Sequence, residues 1–252
     1  MPDALALPTR RDEAWRYADI AAVERLGLGA LGEWEDITLA AGETLRRCEV
    51  VGGDGPELHR IRLTLGDGAR AELFFTNKGA DYTRVEIEVT LGKGAHVEFG
   101  GVTIGGGDAV REFVTTTVHA EPEATSNQTV RSVHWGTGTG NFLGEIKVVR
   151  HAQKTDAAQD FKGLLLEAGA SANAIPQLEI FADDVKCAHG ATVGQLDEAA
   201  RYYMAARGLS PDAAKRLLVQ AFLGDAFVAL EDEAEHERLL NAALEALEGA
   251  KL

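Results

Sequence analysis

Between about Trp34 and Gly194 apolar and polar residues alternate in short runs, HRIRLTL, TRVEIEVTL and REFVTTTV among them, each closed by a glycine-bearing turn. A period of two sends successive side chains to opposite faces of a strand, so residues 34–194 are predicted to form a β domain. The flanks read differently. RRDEAWRYADIAAVERLG spaces its apolar and aromatic residues helically and stops at Gly27, which predicts a short helical arm within residues 1–33. After Gly194, LDEAARYYMAARG predicts a helix ending at Gly208, and Ser210 followed by Pro211 reads as an N-cap and first-turn proline. Leu217, Leu218, Ala221 and Phe222 form an apolar stripe before Gly224, and Leu239, Leu240, Ala243, Leu244 and Leu247 form another. Residues 195–252 are thus predicted to be a helical module. It is too small for a self-sufficient core and must dock on the β domain or on a partner.

The β region repeats. Thr38-Leu39, Thr64-Leu65 and Thr90-Leu91, each followed by glycine at Gly42, Gly68 and Gly94, stand 26 residues apart. Leu166-Glu-Ala-Gly169 reads as a later copy, close to three periods beyond Leu91, with the copies near Val118 and Val149 degenerate. A fixed period with β alternation predicts a solenoid whose coils bury their inward faces by stacking. The leucine and asparagine signature of leucine-rich repeats is absent.

Composition narrows the function. The formal charge of −15 over 252 residues repels phosphate backbones and anionic membrane surfaces, so neither is an expected partner. Residues 1–11 lack a continuous apolar core for a signal peptide, and no apolar run approaches the length of a membrane span. Cys48 and Cys187 make no disulfide framework, which fits a reducing compartment, the cytoplasm.

Few residues carry candidate chemistry. Cys187 and His189, two apart on a strand, share one face and would offer a thiolate and an imidazole suited to iron or zinc. Two ligands do not complete a site, so others must come from another chain, from sulphide or from solvent. The residues alone favour a buried small cysteine and a turn histidine over a ligand pair. Leu178, Glu179, Ile180, Phe181 and Lys186 outline a final strand whose open edge could pair with a partner, or be capped by the chain's own helices. Gly105-Gly106-Gly107 lacks the lysine and helix start of a phosphate loop and reads as a turn. His96, His119, His134 and His151 lack metal-ligand spacing, Cys48 reads as packing, and the acidic run Glu231 to Glu237 as a solvated helix face.

The stretch PQLEIFADDVKCAHGATVGQLDEAARYYMAARGLSPDAAKRLLVQAFLGDAF, Pro176 to Phe227, resembles the C-terminal signature of the SufB/SufD family of iron-sulphur cluster assembly proteins. Lys186-Cys187-Ala188-His189-Gly190-Ala191-Thr192 resembles the SufD branch, as does Glu13-Ala14-Trp15-Arg16-Tyr17 near the start. The resemblance implies a right-handed parallel β-helix flanked by helices and a non-enzymatic scaffold. It implies SufB-like and SufC-like partners, with ATP hydrolysis in SufC, in keeping with the absence here of a phosphate-binding GxxxxGK loop. It further implies a transient iron-sulphur cluster shared with the partner at Cys187 and His189, next to the Leu178 to Lys186 edge, and a SufC grip on the C-terminal helices, where Phe222, Leu223 and Gly224 read as either core or partner contact, with the small size of the module tilting them toward contact. An isolated chain could pair with itself through the same edge. Two rival readings are a purely structural partner of SufB and a β-helical carbohydrate-active enzyme. The latter needs carboxylates aligned across coils, and no such set is visible.

Overall fold

The computed structural model describes residues 6–248, and within them twelve strands wind into a parallel β-solenoid. Odd strands β1 (Glu35–Leu39), β3 (Glu57–Leu65), β5 (Tyr82–Leu91), β7 (Val110–His119), β9 (Thr139–Val148) and β11 (Ser171–Ile180) form one sheet in that order. Even strands β2 (Thr44–Val51), β4 (Arg70–Asn77), β6 (His96–Gly105), β8 (Thr125–His134), β10 (Asp156–Leu165) and β12 (Lys186–Gly194) form the second.

The inward residues of both sheets make one core, through which Phe75, Phe99, Phe113, Phe142 and Phe161 run. Phe99 meets Phe113 edge-on at 5.4 Å and Phe142 stacks on Phe161 at 5.9 Å. Each pair adds about 0.5–1.5 kcal/mol beyond its buried area, and together they lock the coil register.

The repeat is real, but its period drifts. Successive coils are offset by 26 residues at Thr38↔Thr64 and Thr64↔Thr90, by 28 at Thr90↔Val118 and by 32 at Val148↔Ile180. In the turn from the odd to the even sheet, Gly42, Gly68 and Gly94 take positive φ of 73°, 68° and 63°, and each donates its N–H to a carbonyl of the coil above. Glu123 (φ 66°) and Lys154 (φ 61°) continue the same ladder, which is why the glycine signature fades there. The Leu166–Gly169 segment belongs elsewhere. It follows β10 and turns from the even sheet to the odd one, so its match to the Thr-Leu turns is coincidental.

The amino-terminal segment is less helical than its pattern predicts. Glu13–Trp15 is a single 3-10 turn, and the helix, α1, spans only Ile20–Leu26, with Asp19 capping its start and Gly27 ending it. Tertiary contact takes over from helical periodicity. Trp15 lies over the Arg84 guanidinium at 3.9 Å and packs with Ala18, Ala22, Val23 and Leu31 against Tyr82 on the outer face of the odd sheet. Arg84, fully buried, donates to the Ala14 carbonyl at 2.7 Å and pairs with Glu112, which also accepts from Tyr82 and Asn141.

The helices α2 (Glu198–Ala206), α3 (Pro211–Gly224) and α4 (Glu233–Glu248) follow the solenoid. Asp197 and Ser210 cap α2 and α3 as their side-chain chemistry requires. Val219, Leu223, Phe227, Leu239, Ala243 and Leu244 pack on Phe74, Val102, Ile104 and Val133, the outer face of the even sheet. Leu223 is therefore fully buried against its own solenoid and is not free to touch a partner, contrary to expectation, while Phe222 is half-buried.

Candidate functional site

The two ends of the solenoid differ in chemistry. The first coil exposes β1, EDITL, and β2, TLRRCEVV, where Arg47 pairs with Glu35 and Glu49, and Arg46 with Glu72. Charges of this density along an edge discourage further strand pairing. The last coil exposes β11, SANAIPQLEI, and β12, KCAHGATVG, with Glu179 and Lys186 as their charged residues. Ile180, Phe181 and Val193 lie exposed there, at 39%, 52% and 49%.

The predicted edge Leu178 to Lys186 is not one strand. Leu178, Glu179 and Ile180 end β11, Phe181 begins the turn, and Lys186 opens β12. A solenoid coil closes by turning, so it presents two edge strands and not one. Their free backbone groups follow from the register. The N–H groups of Ser171 and Phe181 bond to the carbonyls of Gly138, just before β9, and Val148, at its end, so the even-numbered residues of β11 face the open edge, where Pro176 has no N–H to offer. In β12, Lys186 bonds inward to Thr155, so the backbone groups of Cys187, His189, Ala191 and Val193 point outward.

The side chains of Cys187 and His189 project between the sheets, above Ala157 and Gln159 of β10, at the uncovered mouth of the coil. The structure brings this pair onto one face, as the sequence spacing requires. Cys187 is half-buried against Val148, Ala152 and Ala157, and burial, with Asp156 adding to it, pushes its thiol pKa up. His189 is exposed. Beneath it, Gln159 is 2% exposed and both its side-chain polar atoms lack a partner among the described residues. Gln159 is not legible from the sequence, because a polar residue in a strand looks like an outward one until the register is known. Among the described residues no group of three or more His, Cys, Asp or Glu is placed to hold a metal, and Cys187 and His189 stand at this mouth as a pair. Cys48, by contrast, lies on the outer face of the even sheet, where burial and then Glu235 push its thiol pKa up to about 11.

Residues 44–222 match the family model of the SUF system FeS cluster assembly SufBD core domain. A SufBD family protein of Synechocystis is 33% identical over 174 residues, 69% of this chain and 38% of the relative. The iron-sulphur cluster assembly protein SufD of Escherichia coli is 37% identical over 122 residues, 48% of this chain and 29% of its own length. SufD of Bacillus subtilis is 29% identical over 150 residues, 60% and 34% of the two chains. In each case the match spans less than two thirds of the relative. No described helix is long and apolar enough to cross a membrane.

Proposed function

The chain belongs to the SufBD family of iron-sulphur cluster assembly proteins, and from that premise we propose that it is a SufD-like scaffold subunit whose last coil docks on a SufB-like partner. The observation that carries this reading is the contrast between the solenoid's ends. The weakly charged β11 and β12 edge offers unpaired backbone groups, and Cys187 and His189 occupy its mouth.

Pairing with strands of a partner would satisfy the outward N–H and C=O groups of Cys187, His189, Ala191 and Val193. The same step encloses the mouth, so the partner's ligands meet the Cys187 thiol and the His189 imidazole only in the assembled pair. A nascent cluster is then cargo held at the junction. Its iron favours the thiolate and offsets the burial that otherwise keeps Cys187 protonated. Lys186 and Glu179 flank the edge and help set register, and Phe181 supplies apolar contact area. A SufC-like ATPase engages the exposed face of the helical module, through Phe222 and the surface beside Gly224.

A purely structural role for this chain beside SufB is a second reading, favoured by the raised Cys187 pKa. Co-expression with SufB-like and SufC-like proteins, anaerobic purification and iron and sulphide analysis separate the two. Loss of cluster from an intact complex bearing Cys187→Ser and His189→Ala supports shared ligation. An intact complex with undiminished cluster leaves the structural role, and absence of any complex refutes the assignment.

A further inference from the structure

Each side chain facing the solenoid's interior stands over its counterpart one coil below, and paired strands lie about 4.8 Å apart, so the register names a buried group's neighbours. On the inward face of the even sheet, Gln128 of β8, Gln159 of β10 and His189 of β12 fall on one such ladder, which ends at the open mouth. Gln128 is satisfied from across its own coil. Its side-chain carbonyl accepts from the Thr115 hydroxyl at 2.6 Å, and its amide donates to the Thr117 hydroxyl at 3.1 Å. One coil further on, the places of Thr115 and Thr117 are taken by Gly144 and Ile146, and beyond those by Pro176 and Leu178.

Gln159 therefore has no hydroxyl to face. It is 2% exposed, and neither Oε1 nor Nε2 has a partner among the described residues. Gly144 lies against it, since a Cβ there would meet Gln159 Nε2 at 3.0 Å. Its inward neighbours on β10, Ala157 and Phe161, are apolar and buried. Next in register on the open side is His189, whose side chain is polar and exposed. A buried amide left without a bond is destabilising, and the imidazole directly above it can supply that bond.

An imidazole that binds a metal through one ring nitrogen carries a proton on the other, and that N–H is almost always donated to an acceptor that fixes the ring. Gln159 Oε1 is such an acceptor, one coil beneath the ring. We propose that Gln159 is the positioning residue of the mouth: its side-chain carbonyl accepts the His189 ring N–H and turns the other ring nitrogen toward the metal that His189 shares with Cys187. This deepens the docking reading and rests on it for the identity of that metal as cluster iron.

The test uses the full chain by itself, without oxygen and with cobalt(II) as the metal. A thiolate-to-cobalt charge-transfer band is expected in wild type and is expected to vanish in Cys187→Ser, which assigns it to the mouth. Gln159→Leu should weaken cobalt binding about 10–100-fold. Its Tm should be no lower than that of wild type, because an apolar group replaces an amide that made no bond. Gln159→Glu keeps an acceptor oxygen and should restore the wild-type Kd, and Gln159→Met is the variant to use should Gln159→Leu not fold. An unchanged Kd in Gln159→Leu overturns the proposal. So does equal weakening in Gln159→Glu, which would make the shape of the side chain the cause, or the lack of a thiolate band in wild type. Failure of the docking reading is a separate result, in which no complex forms with a SufB-like protein while the cobalt series behaves as stated.

Discussion

Acid should unfold this protein through two histidines held neutral inside the solenoid. Burial pushes the pKa of His119 down to about 4 and, with Arg111 adding to it, that of His134 down to about 3. Both groups have lower pKa values folded than unfolded, so between pH 6.5 and those values the unfolded chain binds the extra protons. Stability is then fully present above pH 6.5 and falls as pH drops toward about 4 and about 3. At pH 5 each imidazole sits about 1.5 units below its unfolded pKa, which costs about 2 kcal/mol per histidine, or about 4 kcal/mol for both. Urea unfolding at pH 7.5 and pH 5, in wild type and in His119→Gln/His134→Gln, measures the effect. Glutamine can still bond Ser126 or Thr103, the hydroxyls these imidazoles approach, without taking up a proton. The double variant should lose about 4 kcal/mol less than wild type between the two pH values. Equal losses in both proteins would refute the claim that these imidazoles are neutral in the fold, since carboxylate titration is common to both.

Leu223→Ala should cost about 2–5 kcal/mol in urea unfolding, because that side chain fills the seam between the helices and Phe74. Gly100→Ala should lower Tm as well, since a Cβ there would lie 2.1 Å from the Ala226 carbonyl and push the helical module off the even sheet. Trp15→Ala should destabilise by at least about 2 kcal/mol by uncovering buried Arg84, and should increase proteolysis of the amino-terminal segment. Val193→Lys should leave the unfolding free energy within about 0.5 kcal/mol of wild type while abolishing co-purification with a SufB-like partner, because a charge at an open edge opposes pairing.

The solenoid was legible because alternation and the 26-residue offset both derive from coil geometry, and the first three coils keep that offset. Legibility ended where turns lengthened: Glu123 and Lys154 take the left-handed positions of Gly42, Gly68 and Gly94, and sequence cannot show a positive φ at a non-glycine residue. The amino-terminal segment is less helical than its pattern for a related reason. The spacing of Trp15, Tyr17 and Ile20 looks helical, yet Trp15 is held by stacking on Arg84, a contact 69 positions away that no local pattern encodes. Cys187 and His189 were readable because two-residue spacing on a strand fixes a shared face. The interior Arg111, His134 and Gln159 were not, since inward and outward polar residues look alike until the register is known.

On the proposed function, the raised thiol pKa at the mouth links docking to ligation. In the isolated chain Cys187 is protonated at neutral pH, because burial and Asp156 both disfavour the thiolate. Covering the mouth with another coil buries it further and raises the pKa again, unless the partner brings a cation. Docking alone should therefore slow alkylation of Cys187, whereas docking with iron should bring the thiolate into a metal bond. Iodoacetamide labelling read by mass spectrometry separates these states, with Cys48, about 11 and remote from the edge, as the internal control. At pH 8, Cys187 should react more slowly than a free thiol in the isolated chain and more slowly still in a metal-free complex. With iron and sulphide supplied, protection should persist at pH 9.5 and collapse on adding a chelator. Chelator-insensitive protection at pH 9.5 would mean that the partner merely covers Cys187, and faster labelling in the metal-free complex would mean that β12 is not the docking edge.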